Sequence, residues 1–376
     1  MHKRSLMLSL FAGAAIVVAA CSGGATPSPE PSAAPSAAPS AAPSEAPSPS
    51  PEGLTCDTAL KVGLVTDVGR VNDKGFNQAA FEGMEQAAEE APTCFETDYI
   101  ETTNQADYAK NIGEFADNGY DVVIGVGFLM GDAMGDASKE YPDIKFISVD
   151  GAPNPGHDEN WTTNGESLFY AEDQAGYLAG VLAASVSESG TIGVVGGLLV
   201  VPPVERFVEG YINGAQATNP DINVLFTYTS SFVEPEQGKA AAQQMIDQQA
   251  DVIFAAGGLT GNGALLAACD AGILAIGVDV DQYETLPEAQ KCLVSSATKG
   301  LRESVKLSLE RIAKGEFTPG FTTNDAASNG VGLAPFHDNA DKVTADTVKL
   351  LADTFAGLAD GSIDPGVVVD GATTVD

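Results

Sequence analysis

The chain has 376 residues, more than one average domain, and its 44% hydrophobic content suffices for a sizeable core, so two lobes are expected. Lys and Arg number 18 against 52 Asp and Glu, a formal charge of -34. That balance opposes phosphate backbones and anionic lipid surfaces, which excludes nucleic acid polymers as partners, and it reads as solubility rather than ligand choice.

The N-terminus carries a basic start, Met1 to Ser5, then an apolar run from Leu6 to Ala20, then Cys21. This is the layout of a signal peptide, and the run is too short for a comfortable membrane span. Val18-Ala19-Ala20-Cys21 resembles the bacterial lipobox, in which cleavage leaves Cys21 as the lipidated N-terminus. An ordinary secretory signal with an incidental cysteine is the alternative. Residues 1–20 are thus expected to be removed, leaving a protein tethered to the extracytoplasmic side of the cell membrane by Cys21. Residues 21–54 follow as a stalk of Pro, Ser and Ala near-repeats, with too little apolar surface to offset the entropy of ordering.

From residue 55 onward, Val- and Ile-rich runs alternate with helical stretches: KVGLVT at 61, DVVIGV at 121, IKFISV at 144, TIGVVGG at 191, INVLFTY at 222, DVIFAA at 251, ILAIGV at 273 and LVSSA at 293. Such alternation predicts α/β architecture with parallel sheets covered by helices. One run of strand and helix pairs ends near residue 165 and a second starts with a helix at about Ala171, which gives two doubly wound lobes. Within the first unit, Asn72 and Asp73 can accept from the first amides of a helix whose apolar positions are Phe76, Ala80, Met84 and Ala87.

Ligands of open parallel sheets sit where strands end and helices begin. Asp67, Asp150 and Asp279 each follow an apolar strand, so their carboxylates either accept from ligand hydroxyls or cap the following helices. Phe76 and Phe207 open corresponding helices of the two units, where each either faces the ligand or joins the core. Lys299 reads as the start of a helix, where a cation is electrostatically unfavourable, so it is either solvated surface or paired with Asp279 in the pocket.

Four cysteines follow Cys21: Cys56, Cys94, Cys269 and Cys292. An even count in an oxidising compartment predicts two bridges with three possible connectivities. Cys56 and Cys94 precede the first two strands, which parallel pairing brings to one sheet edge, and Cys269 ends a short helix while Cys292 enters a late strand, again at the edge away from the ligand, which favours Cys56 with Cys94 and Cys269 with Cys292. The Gly-rich stretches at 125–131 and 257–263 lack the order of a dinucleotide site, and no P-loop occurs. Of three histidines, His2 lies in the signal and His157 and His337 have no partner at ligand spacing; no Gly-x-Ser-x-Gly elbow appears either. No cofactor, no metal and no enzymatic activity are expected.

The run Thr66-Asp67-x-Gly69-x-x-Asn72-Asp73-x-Gly75-Phe76-Asn77-Gln78 resembles the opening signature of the basic membrane protein family of substrate-binding lipoproteins. Further matches in family order are Gly125-Val-Gly127-Phe128, Tyr141-Pro142-Asp143, Pro203-Val204-x-x-Phe207-x-x-Gly210, Ala256-Gly257-Gly258, Gly277-Val-Asp279-Val-Asp281-Gln282 and Ser296-Ala-x-Lys299. The resemblance implies the type I periplasmic-binding-protein fold, two doubly wound lobes joined by a hinge of three crossovers with the ligand between them. Its lobes would be about 55–165 plus part of 281–335, and about 166–280 plus the C-terminal segment. It implies a monomeric receptor that hands a nucleoside, a purine above all, to an ABC transporter permease. In that reading Phe76 and Phe207 stack the base, Asp67 meets its edge with help from Asn77, Asp279 and Lys299 hold the ribose, and Gly257 and Gly258 let the backbone approach closely. Gly127 and Phe128 are a weaker lining pair. A receptor for a sugar or other small metabolite, and a ligand sensor for a membrane receptor, are the rival readings.

Overall fold

The computed structural model describes residues 53–368. The expected signal peptide, Cys21 and nearly all of the expected stalk lie outside the described residues, and no helix among those described is long and apolar enough to cross a membrane.

Strand β1 (Leu60–Val68) leads through a tight turn to α1 (Phe76–Glu90), followed by β2 (Phe95–Thr102), α2 (Tyr108–Asp117), β3 (Val122–Val126), α3 (Gly131–Glu140), β4 (Lys145–Val149), the short α4 (Trp161–Asn164) and β5 (Gly165–Tyr170). The second half repeats the plan: α5 (Glu172–Val186), β6 (Thr191–Gly196), α6 (Pro202–Thr218), β7 (Asn223–Tyr228), α7 (Pro235–Ile246), β8 (Val252–Ala256), α8 (Gly258–Ala271), β9 (Leu274–Asp279), α9 (Gln282–Thr285) and β10 (Leu293–Lys299). The chain closes with α10 (Leu301–Ala313), β11 (Gly320–Asn324), β12 (Val331–Leu333) and α11 (Ala345–Ala359).

Two six-stranded sheets result, in the orders β11-β5-β4-β3-β1-β2 and β12-β10-β9-β8-β6-β7. All pairings are parallel except that of β12 with β10. The α/β class and the two doubly wound lobes are as the alternation predicts, and the strand-like runs of the sequence each fall on a strand. The chain passes between lobes after Tyr170, after Lys299 and after Asn324.

The lobe limits differ from expectation in two places. β5, with sequence GESLFY, extends the first sheet to Tyr170, past the expected limit at 165. β10 pairs with β9 in the second sheet, so of the region after 281 the first sheet takes only β11, with α10 packed on α1. The polar Glu166 and Ser167 hide the strand character of β5 in the sequence; both are buried, and Glu166 pairs with Arg311 of α10.

Helix α6 is held unusually close to α5. A Cβ on Gly176, Gly180, Gly210 or Gly214 would lie 2.0–2.3 Å from a backbone oxygen of the facing helix, so only glycine permits this approach. The pairing carries Phe207 and Tyr211 of α6 into the core shared by the two sheets, where both meet Phe254.

Both favoured disulfides are present, Cys56–Cys94 ahead of β1 and β2 and Cys269–Cys292 between the end of α8 and the start of β10. They span 38 and 23 residues, separations at which removing a cross-link from the unfolded chain costs about 3–4 kcal/mol each. Replacing either pair by serine is expected to lower the denaturant midpoint accordingly, with non-reducing peptide mapping of the parent protein recovering these two linkages. Free thiols at all four positions would contradict the pairing.

Candidate functional site

Six strands end around one cavity, partly open to solvent. β1 delivers Asp67, Gly127 follows β3 and Asp150 follows β4 from the first lobe; Gly257 and Gly258 follow β8, β9 ends in Asp279 and β10 in Lys299 from the second. Phe76, Asn77, Phe128 and Phe207 complete the set of residues singled out in the sequence, all of which line this cavity.

The turn into α1 explains the Asp/Asn-rich signature. The Asp73 carboxylate accepts from the backbone amides of Gly75, Asn77 and Gln78 at 2.9–3.1 Å, so it satisfies the orphan donors of α1, while Asn72 makes no such bond. Asn77 is committed to protein partners: its Oδ1 accepts from the Asp67 amide at 3.1 Å and its Nδ2 donates to Asp73 at 3.0 Å. It positions Asp67 from behind. Asp67 accepts in addition from the Tyr108 hydroxyl and, at 2.6 Å, from the Val68 amide. Gly127, at φ 118°, stands where a Cβ would fall 2.3 Å from the Asp67 carboxylate, so any other residue would expel that side chain.

Lys299 ends a strand rather than starting a helix, with Gly300 between it and α10. Its side chain is 1% exposed. The ammonium donates to Asp150 and, at 3.2 Å, to Glu172, with Asp279 Oδ1 at 3.8 Å, so the expected Asp279 partner is the most distant of three. Its cation also sits 5.0 Å from the ring centres of Phe76 and Tyr170 and 5.5 Å from that of Phe207. Glu172, the first residue of α5, was not singled out in the sequence, where it reads as an ordinary acid in the first turn of a helix. It is fully buried and also accepts from Arg206 of α6 at 2.7 Å.

Burial sets the protonation of this cluster. It pushes Asp67 up to about 6 against the opposing pull of the Tyr108 hydroxyl. It pushes Asp279 up to about 6 and Asp150 to about 7, with Lys299 opposing in each case and Glu172 adding to the rise. Burial would raise Glu172 as well, but Arg206 and Lys299 outweigh it and hold that carboxyl below its ordinary range. Desolvation disfavours the Lys299 ammonium, yet three carboxylates around it keep its pKa above normal.

The aromatic lining is not uniform. Phe76 is partly exposed to the cavity, whereas Phe207 is 3% exposed and edge-on to Phe254 at 6.0 Å, so it serves the core as well as the lining. Phe232, in the loop after β7, also lines the cavity and was missed because a single aromatic in a Ser-rich loop carries no periodic signal. Away from the cavity, His337 Nε2 meets Asp281 at 2.7 Å with Glu284 close by, a grouping that no sequence spacing announces.

Residues 60–354 match the family of PnrA-like ABC transporter substrate-binding proteins. The chain belongs to this family. It is 30% identical over 323 residues to the ABC transporter nucleoside-binding protein BmpA of Lactococcus lactis, covering 81% of this chain and 89% of that one. It is 29% identical over 287 residues to an uncharacterized lipoprotein of Pyrococcus furiosus, covering 73% and 69%. Among solved structures, an ABC transporter solute-binding protein from Aeropyrum pernix superposes with a TM-score of 0.73 at 24% identity, over 81% of this chain and 92% of that one, which establishes likeness of fold.

The raised carboxyls have a consequence for stability. A carboxyl that holds its proton more tightly folded than unfolded contributes stability that is complete below its unfolded pKa, about 4, and is lost as pH rises through its folded value. For Asp67 and Asp279 that value is about 6 and for Asp150 about 7. Ligand-free protein is therefore expected to lose unfolding free energy between roughly pH 4 and pH 7, and Asp67→Asn to remove on the order of 2 kcal/mol of that decline. Denaturant titrations at several pH values check this; equal slopes for variant and parent would refute it.

Proposed function

We propose that this protein is a lipid-anchored receptor, held outside the cell membrane by Cys21, that binds a nucleoside between its lobes and passes it to an ABC permease without chemical change. The observation that carries the reading is the pairing of two rings from opposite lobes, Phe76 and Phe207, with buried carboxylates from both sheets in one cavity. Flat aromatic faces suit a base, at about 1–3 kcal/mol per stacked base. Carboxylate oxygens suit hydroxyl donors, and Asp150 Oδ1 is buried with no protein donor. The nucleoside-binding relative in Lactococcus lactis and the lipoprotein relative in Pyrococcus furiosus support the ligand class and the anchor.

In this reading Asp67 meets the base edge, while Asp279 and Asp150, oriented by Lys299, take ribose hydroxyls. Gly257 and Gly258 present the amide end of α8 to the ligand. Asn77 acts by holding Asp67. Residues 21–54 act as a spacer, and the two-lobed domain works as a monomer. The burial of Phe207 against Phe254 favours a second reading, a receptor for a sugar, which would use the carboxylates and only one ring.

Calorimetry against adenosine, guanosine, inosine, adenine and ribose separates the two. Phe76→Ala is expected to weaken nucleoside binding by about 1–3 kcal/mol with little change in stability. Phe207→Ala should weaken binding and also cost about 3–5 kcal/mol of folding stability, since it empties core volume. Asp279→Ala should impair nucleoside binding far more than binding of free adenine. Protein that binds ribose and no nucleoside would sink the nucleoside reading in favour of the sugar.

A further inference from the structure

The turn that carries Phe76 is gripped from the other lobe by side chains that do not reach the cavity. The Asp73 carbonyl accepts from Asn262 Nδ2 of α8 at 2.9 Å. The next carbonyl, that of Lys74, accepts from Thr285 Oγ1 of α9 at 2.7 Å and from Gln282 Nε2 at 3.3 Å. Lys74 is in the left-handed region at φ 68°, a conformation uncommon for a residue with a Cβ.

The gripping groups are set within the second lobe. Gln282 is 1% exposed; its Oε1 accepts from the Val278 amide at 2.9 Å and its Nε2 donates also to Asn262 Oδ1 at 2.8 Å. Its own backbone amide donates to Ser296 Oγ at 3.1 Å. A Cβ at Gly277 would stand 2.7 Å from Gln282 Oε1, so the strand leaves room for this side chain and no more. Asn262 and Gln282 thus satisfy each other and β9, and each keeps one donor for the first lobe. Gln282 closes the run Gly277-Val-Asp279-Val-Asp281-Gln282, and ligand contact gives it no role.

We propose that Asn262, Gln282 and Thr285 form a closure clamp: positioning residues that hold the first lobe's α1 turn against the second lobe in the closed form, with or without ligand. The carbonyls of Asp73 and Lys74 are the grip, and what they position is Phe76 and the start of α1 opposite Asp279, whose Oδ2 lies 3.8 Å from where a Gly75 Cβ would be. An opening of the lobes breaks these bonds and returns both carbonyls to water, so each bond contributes a modest net increment to the closed state. The clamp therefore acts on the rate of ligand escape rather than on encounter.

The proposal rests on the two-lobed receptor reading, with adenosine as the probe. Thr285→Val removes one donor at nearly constant shape, Thr285→Ser restores it, and Gln282→Glu keeps the acceptor for Val278 while removing both donors. Stopped-flow kinetics are expected to show adenosine dissociation faster by about 3- to 10-fold in T285V and in Q282E, with association within about twofold of the parent and T285S close to the parent. Parental dissociation rates in both variants, or equal acceleration in T285S and T285V, would overturn the clamp. Thermal unfolding screens for misfolding; if Q282E does not fold, T285V and T285S decide. If the parent does not bind adenosine, the nucleoside reading fails separately, and small-angle scattering of ligand-free protein decides the clamp. A more open shape in T285V than in the parent then supports it, and superimposable curves overturn it.

Discussion

The cavity is organised around one buried ammonium. An uncompensated cation at the position of Lys299 would cost several kcal/mol, so its carboxylates are conditions for the fold as much as for the site. Their origins matter: Asp150 follows β4 of the first sheet, Glu172 starts the helix just past the first crossing between lobes, and Asp279 ends β9 of the second sheet. Lys299 is itself the last residue before the second crossing. The ion cluster therefore ties both sheets together at the hinge, where the chain must bend without losing register. Arg206 adds α6 through Glu172, which links the cluster to the helix that carries Phe207.

Two cations against three carboxylates leave the cluster short of positive charge. The raised pKa values of Asp150 and Asp279 are the protein's partial answer, since a protonated carboxyl removes the excess. A ligand rich in hydroxyl donors answers the same deficit by hydrogen bonding to the ionised form. An anionic ligand would aggravate it, because the one cation at the cavity wall is already engaged by protein. The chemistry of the cluster thus points away from phosphorylated ligands and toward neutral ones.

Much of this was legible in residue order. β1, β3, β4 and β6 to β10 announce themselves as apolar runs, and the strand-end positions of Asp67, Asp150 and Asp279 follow from the rule that parallel sheets present ligands at their carboxyl edges. What could not be read depends on distant pairing. β5 carries a buried glutamate that is tolerable only because Arg311 arrives from 145 residues away, so its local pattern is misleading. β11 and β12 are short and mostly polar or Gly-rich. Asn77 reads as a helper of Asp67 at the ligand, and its two amide ends bond to Asp67 and Asp73, a pairing that residue order does not announce. Glu172 reads as a helix-start acid and is a central member of the ion cluster, a role visible only once β10 brings Lys299 beside α5.

The two sheets have matching strand orders, and their correspondences separate scaffold from specialisation. Asp150 and Asp279 occupy equivalent positions after β4 and at the end of β9, and both adopt left-handed backbone, at φ 60° and 68°. A non-glycine residue in that region costs on the order of 1 kcal/mol or more, and the same strain at the same place in both lobes turns a carboxylate into the crevice twice. The next strands break the symmetry. β5 ends in Tyr170 where β10 ends in Lys299, so one lobe presents a ring and the other a cation, and the cation sits 5.0 Å from that ring's centre. A symmetric pair of carboxylates would repel across the cavity as the lobes approach. One lysine in place of the second tyrosine turns that repulsion into mutual attraction toward a shared ammonium, which allows two acid-bearing lobes to meet face to face.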